Sequence, residues 1–127
     1  MKKNIIVSEN APKAIGAYSQ GIKYNGLIFL SGQIAMDRET FEIISTDVEI
    51  QTKAVLENIS ALLCDAGSKM ENVIKVTIFL TDMNNFSRVN TIYGNFFKSE
   101  PPARSCVGVL SLPKGALVEI EVTAYEN

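Results

Sequence analysis

Residues 101–125 read PPARSCVGVLSLPKGALVEIEVTAY. The stretch holds two strand-forming runs, Ala103 to Leu110 and Leu117 to Tyr125, joined by a turn at Pro113, Lys114 and Gly115. Pro101 and Pro102 end any helix that precedes them. Charges interrupt the apolar pattern, and the pair that stands out is Arg104 in the first run and Glu119 in the second, with Glu121 beyond it. A charge taken out of water destabilises a fold unless it is paired, so two readings stand open. Either the pair bridges adjoining strands as a structural ion pair, or it marks a site. An arginine can grip a planar carboxylate through two parallel hydrogen bonds, and a half-buried glutamate can hold or deprotonate a water.

Working outward, the segment before the prolines predicts a helix from Asn84 to Ser99, with Phe86, Val89, Ile92, Tyr93, Phe96 and Phe97 as an apolar stripe that reads as core. Val73 to Leu80 alternates as a strand. Ile74, Val76, Ile78 and Leu80 face the helices, and Lys75, Thr77 and Phe79 face away. Thr46 with Glu49 forms a capping-box pattern that opens a long helix. Its inner face is Val48, Val55, Leu56, Ile59, Leu62, Leu63 and Ala66, Gly67 closes it, and Cys64 is expected to be packed. Asn4 to Val7, Gly21 to Tyr24 and Leu27 to Leu30 read as strands, the last two joined by the hairpin dipeptide Asn25-Gly26. Residues Ala35 to Ser45 lack periodicity and read as a surface loop or short edge hairpin.

These elements predict an α+β fold, one mixed β-sheet with two helices packed on one face, as a single domain over residues 1–127. Alternation puts Val107, Val109, Val118, Ile120, Val122 and Ala124 on the helix-covered face. It puts Arg104, Cys106, Leu117, Glu119, Glu121 and Tyr125 on the other, with Phe29 and Phe79. That second face is too apolar to be left to solvent, so an oligomer is expected to cover it, with any site in the groove between subunits.

Composition narrows the chemistry. The chain has 127 residues, 46% hydrophobic and 20% charged, enough for one buried core. A net charge of −2 supplies no basic surface for nucleic acid. No apolar run approaches the roughly 20 residues of a membrane span. The apolar run after Lys2 and Lys3 is too brief for a secretory signal, and a cytoplasmic protein is expected. Cys64 and Cys106 form no CxxC pattern and read as reduced thiols rather than a disulfide or zinc site. The absence of histidine removes imidazole triads and HExxH metal sites, leaving carboxylates, hydroxyls, backbone amides and lysines to carry any catalysis.

Four separated motifs occur in order: Ala11 to Gln20, then Ser31, Gly32 and Gln33, then Asn90 to Phe97, then Pro101 to Glu121. Together they resemble the Rid family, from about Ala11 to Ala124. The resemblance implies a chorismate-mutase-like fold, a homotrimer with clefts at subunit interfaces, and hydrolysis of 2-imino acids to 2-oxo acids and ammonia with no metal and no cofactor. By position it gives Arg104 the substrate carboxylate, Cys106 a backbone amide contact, and Glu119 the attacking water. Tyr18, Ser31, Gly32 and Asn90 would line the pocket. Without the family, Tyr18 reads as closing a loop, Ser31 and Gly32 as ending a strand, and Asn90 as bracing a helix. Ala17 departs from the proline of many relatives, which implies a less preorganised Tyr18 loop. A 2-oxo acid-binding regulatory module is the alternative, and an endoribonuclease ranks last for want of histidine and a basic stripe.

Overall fold

The computed structural model describes residues 2–127. Asn25 and Gly26 both take positive φ, 53° and 79°, as a two-residue hairpin turn of the primed type requires. They join β2 (Gly21–Tyr24) to β3 (Leu27–Leu30), and β1 (Asn4–Ile6) pairs antiparallel with β2. The loop that follows closes on itself. Met36 bridges Ile43, and Asp37 Oδ1 accepts from the amides of Glu39 and Thr40 at 2.8 and 2.9 Å.

Helix α1 spans Val48–Asp65. Its cap is Asp47 rather than Thr46. The Asp47 carboxylate accepts from Glu49 N at 2.7 Å and Ile50 N at 3.2 Å, satisfying two of the amides a helix start leaves free. The other end is a Schellman motif. Gly67 sits at φ 83°, Ser68 N donates to Leu63 O, and Gly67 N donates to Cys64 O. Val48, Val55, Leu56, Ile59, Leu62 and Leu63 are buried as their spacing predicts, each larger aliphatic contributing about 1.5–3 kcal/mol. Cys64 does not join them. It lies on the solvent side of the helix.

Strand β4 (Val73–Leu80) runs through the core, and α2 (Phe86–Phe96) carries the chain over to β5 (Ala103–Gly108), parallel to β4. A 3₁₀ turn at Met83–Asn85 precedes α2, so the helix proper starts two residues after Asn84 and ends three before Ser99. Strand β6 (Val118–Tyr125) then pairs antiparallel with the other edge of β4 and with β3. The sheet order is β1-β2-β3-β6-β4-β5. Hence β5 and β6 do not adjoin, because β4 lies between them.

That order corrects the expected faces. Val76, Ile78 and Leu80 of β4 are fully buried beneath the helices, and their register partners on β5 include Arg104 and Cys106. Those two side chains therefore point to the helix-bearing face. Val107, paired with Phe79, points to the open one. Glu119 also pairs with Phe79 and stays on the open face, as expected. Parity within β5 was legible, but its sign depends on register with β4, which the α2 crossover sets. A register shift between Val73 and Lys75 makes a second change, burying Val73 and turning Ile74 outward. On the open face Phe29, Val107 and Tyr125 remain 42–44% exposed.

Candidate functional site: two half-sites on opposite faces

On the open face a cleft of about 710 Å³ lies beside the end of β3, lined by Tyr18, Ser31, Gly32, Lys114 and Glu119 among others. Its floor is fixed by backbone pairing. Gln33 and Ile120 exchange amide hydrogen bonds at 2.8 and 3.1 Å, which lays Gly32 against Glu119. A β-carbon on Gly32 would collide with that carboxylate, 2.9 Å from its Cδ, so glycine is what lets it lie there. The Ser31 hydroxyl donates to Ser19 O at 2.6 Å, and Ser31 N donates to Gln20 O at 2.9 Å.

The wall is the segment from Ala11 to Gln20. Buried Gln20 accepts from Ser8 N and donates to Ser8 O and Pro12 O, pinning both ends of the segment. Tyr18 N donates to Gly16 O, and the Tyr18 hydroxyl accepts from Ile15 N at 3.3 Å. These bonds close the loop with alanine at position 17. Tyr18 is 52% exposed and its ring stands at the mouth of the cleft. Lys114, in the left-handed region at φ 58°, reaches the same cleft. Sequence reasoning used it only as a turn residue, and its neighbours Pro113 and Gly115 signal no more than that.

Burial holds the Glu119 carboxyl above its ordinary value of 4.5, and the charge of Glu121, two residues along the same face, pushes the same way. No arginine or lysine is within ion-pair distance of it among the described residues.

The second half-site lies across the sheet. Arg104 Nη1 donates to Asn90 Oδ1 at 2.7 Å, and the guanidinium carbon stands 4.8 Å from the ring centre of Tyr93 and 5.5 Å from that of Phe86. Among the described residues the ion pairs are those of Arg88 with Asp47 and Glu49, so Arg104 has no acidic partner. The structural ion pair between Arg104 and Glu119 is thereby excluded, and so is a site built from both on one face of one chain. Cys106 lies two residues beyond Arg104 on the same side, partly buried against the core. Burial pushes its thiol up from 9.0, with Arg104 opposing, so it is a protonated thiol near neutral pH. Asn90, Arg104 and Cys106 thus share one face, and Tyr18, Ser31, Gly32 and Glu119 the other. Among the described residues no three His, Cys, Asp or Glu side chains gather where they could hold a metal ion, and no helix is long and apolar enough to cross a membrane.

A six-stranded mixed sheet with two helices on one face, bearing this glycine-floored carboxylate cleft, defines a Rid-type domain. Residues 8–126 match the family described as endoribonuclease L-PSP, and the chain belongs to that family, whose members also carry the names Rid and RutC. A Yersinia pestis protein of the conserved Rid family shares 50% identity with it, covering 98% of this chain and 99% of that one at a TM-score of 0.95. Escherichia coli TdcF, solved with bound serine, shares 41% identity, covering 98% and 99% at a TM-score of 0.92. The chloroplastic Reactive Intermediate Deaminase A of Arabidopsis thaliana is 44% identical over 124 residues, 98% of this chain and 66% of that protein.

Proposed function

We propose that this chain is a hydrolytic deaminase that converts small 2-imino acids, such as 2-iminobutanoate and 2-iminopropanoate, into 2-oxo acids and ammonia. The observation that carries the reading is Arg104, a half-buried guanidinium with no acidic partner, held by Asn90 with further donors free for a carboxylate. A deaminase among the relatives and a bound amino acid in TdcF support the same class of ligand.

In this reading the active unit is a homotrimer, and each cleft takes its halves from two chains. Because the halves lie on different faces, the contact that joins them is heterologous, and a trimer follows when the rotation between neighbours closes the ring at three. The exposed Phe29, Val107 and Tyr125 supply apolar area for that contact. Arg104 of one chain fixes the carboxylate, which places C2 of the imine, and the Cys106 backbone amide adds a donor beside it. Glu119 of the neighbour takes a proton from water as its oxygen bonds to C2, giving a tetrahedral amino alcohol. Glu119 then returns that proton to nitrogen, and as the C–N bond breaks it takes the hydroxyl proton. Ammonia leaves, the C=O of the 2-oxo acid forms, and the proton passes from Glu119 to the departing ammonia as ammonium. Tyr18, Ser31 and Gly32 shape the space around the reacting carbon. A protonated imine is already electrophilic, so positioning supplies most of what is needed and the reaction requires no metal or organic cofactor. The raised affinity of Glu119 for protons suits a group that must both accept and return one.

The test is a coupled assay in which threonine dehydratase generates 2-iminobutanoate. The purified protein is expected to accelerate the appearance of 2-oxobutanoate, and Arg104→Ala to abolish that acceleration while the fold persists. No acceleration by the wild type overturns the proposal. The family description favours a second reading, RNA cleavage. The chain's charge of −2 and its lack of histidine give little phosphate grip or acid–base equipment for it. RNA cleavage lost on Glu119 substitution, with no imine turnover, would favour it. Binding of 2-oxobutanoate without turnover would favour a regulatory module.

A further inference from the structure

Phe86, Asn90 and Tyr93 stand at positions i, i+4 and i+7 of α2, one continuous stripe of the helix. Periodicity alone assigns the two aromatics to the core, and Tyr93 is indeed only 5% exposed and stacks on Phe97 at 4.6 Å. The stripe also does something a core stripe need not. The Arg104 guanidinium lies along it, with one ring 4.8 Å away, another 5.5 Å away, and the Asn90 amide oxygen between them in sequence.

We infer that Phe86 and Tyr93 are positioning residues that hold the Arg104 guanidinium against their ring faces, while Asn90 takes one Nη1 hydrogen and leaves the Nε–Nη2 edge for the substrate carboxylate. An arginine side chain has several rotatable bonds, and ordering it at the moment of binding weakens affinity. Ring faces attract the cation without neutralising it, as an aspartate in the same place would. The cation is therefore held and still available to an anion.

Tyr93 acts through its ring rather than its hydroxyl. That hydroxyl is buried with no hydrogen-bond partner. Burial also raises the phenol above its ordinary value of 10.0, against the opposing pull of Arg104, so the group facing the guanidinium at neutral pH is a neutral ring. Phenylalanine supplies the same face, whereas leucine supplies volume without it.

The inference relies on the deaminase reading for its ligand and on Arg104 geometry for the rest, and two readouts separate them. The first is NMR of the full-length protein, with Arg104 signals assigned through Arg104→Lys. Side-chain Hδ and Nε–H resonances of Arg104 are expected to be shifted upfield by the rings in the wild type and in Tyr93→Phe, and to return toward ordinary values in Tyr93→Leu. The second is calorimetric binding of 2-oxobutanoate, with kcat and KM for the imine. Tyr93→Phe is expected to match the wild type. Tyr93→Leu is expected to bind 2-oxobutanoate about tenfold more weakly, with KM rising more than kcat falls. Phe86→Leu, at a less buried ring, covers the case in which Tyr93→Leu does not fold, with the same signature at smaller size. An unshifted Arg104 in the wild type overturns the inference whatever the activity. So does loss of the shift without loss of affinity, or a Tyr93→Phe defect equal to that of leucine. A shifted Arg104 in a protein that neither binds 2-oxobutanoate nor hydrolyses the imine overturns the deaminase reading, and the carboxylate grip with it.

Discussion

Gly32 lacks a β-carbon where the Glu119 carboxylate rests, and the catalytic proposal can be tested by filling that space. Alanine at position 32 keeps an ordinary backbone, since Gly32 is not among the positive-φ glycines, but forces the carboxylate aside. Gly32→Ala is expected to lower kcat about a hundredfold, the scale of an ångström's misplacement at a reacting centre, with an almost unchanged thermal midpoint. The protonation of Glu119 is open to a separate test. Its carboxyl is raised first by burial and then by the Glu121 charge, so the acid limb of kcat/KM should lie above the range of a free glutamate. Removing the like charge in Glu121→Gln lets Glu119 ionise more readily, and the acid limb should move to lower pH. A limb that stays in place, measured in the coupled assay across pH, would show that another group controls it.

At the scale of elements, the start of α1 rests on one carboxylate that satisfies two amides. Asp47→Ala is expected to cost about 1 kcal/mol in urea denaturation, and Asp47→Asn far less, because an amide oxygen still caps. Neither should change imine turnover, since Asp47 lies in neither half-site. The capping-box pattern pointed to Thr46, and only backbone geometry decides that the Asp47 oxygen is the one to reach the free N–H groups. The strand β3, most of β4 and the inner face of α1 were legible because burial imposes a period on their apolar residues, and β2 because the hairpin turn ties it to β3. The Asn25-Gly26 turn was legible because few other dipeptides hold two positive φ angles. What escaped was relational. Alternation tells which residues of β5 share a side but not which side, and insertion of β4 between β5 and β6 carried Arg104 to the face away from Glu119. The aromatic bed of Arg104 escaped for a similar reason, since a helix stripe looks like core until the strand beside it is placed. The shift at Val73 and Lys75 turned Ile74 outward, and no residue there announces it.

The whole molecule sets the decisive question, because one chain presents the Arg104 guanidinium and the Glu119 carboxylate on opposite faces of a sheet. If the halves meet across a chain boundary, Arg104→Ala and Glu119→Gln damage different halves of every cleft. Each variant alone is then expected to be inactive while still assembling. When the two are unfolded together in equal amounts and refolded, a cleft is intact wherever the Arg104 half comes from the Glu119→Gln chain and the Glu119 half from the Arg104→Ala chain. Random assembly makes that arrangement at about a quarter of the clefts in a closed ring of identical contacts, so activity should return to about a quarter of the wild-type rate. Sites confined to single chains would regain nothing, since every chain in the mixture carries one lesion. A size measurement on the same sample separates the outcomes further. Recovery in a trimer supports the shared cleft, and an inactive mixture of correct size shows that the two half-sites never meet.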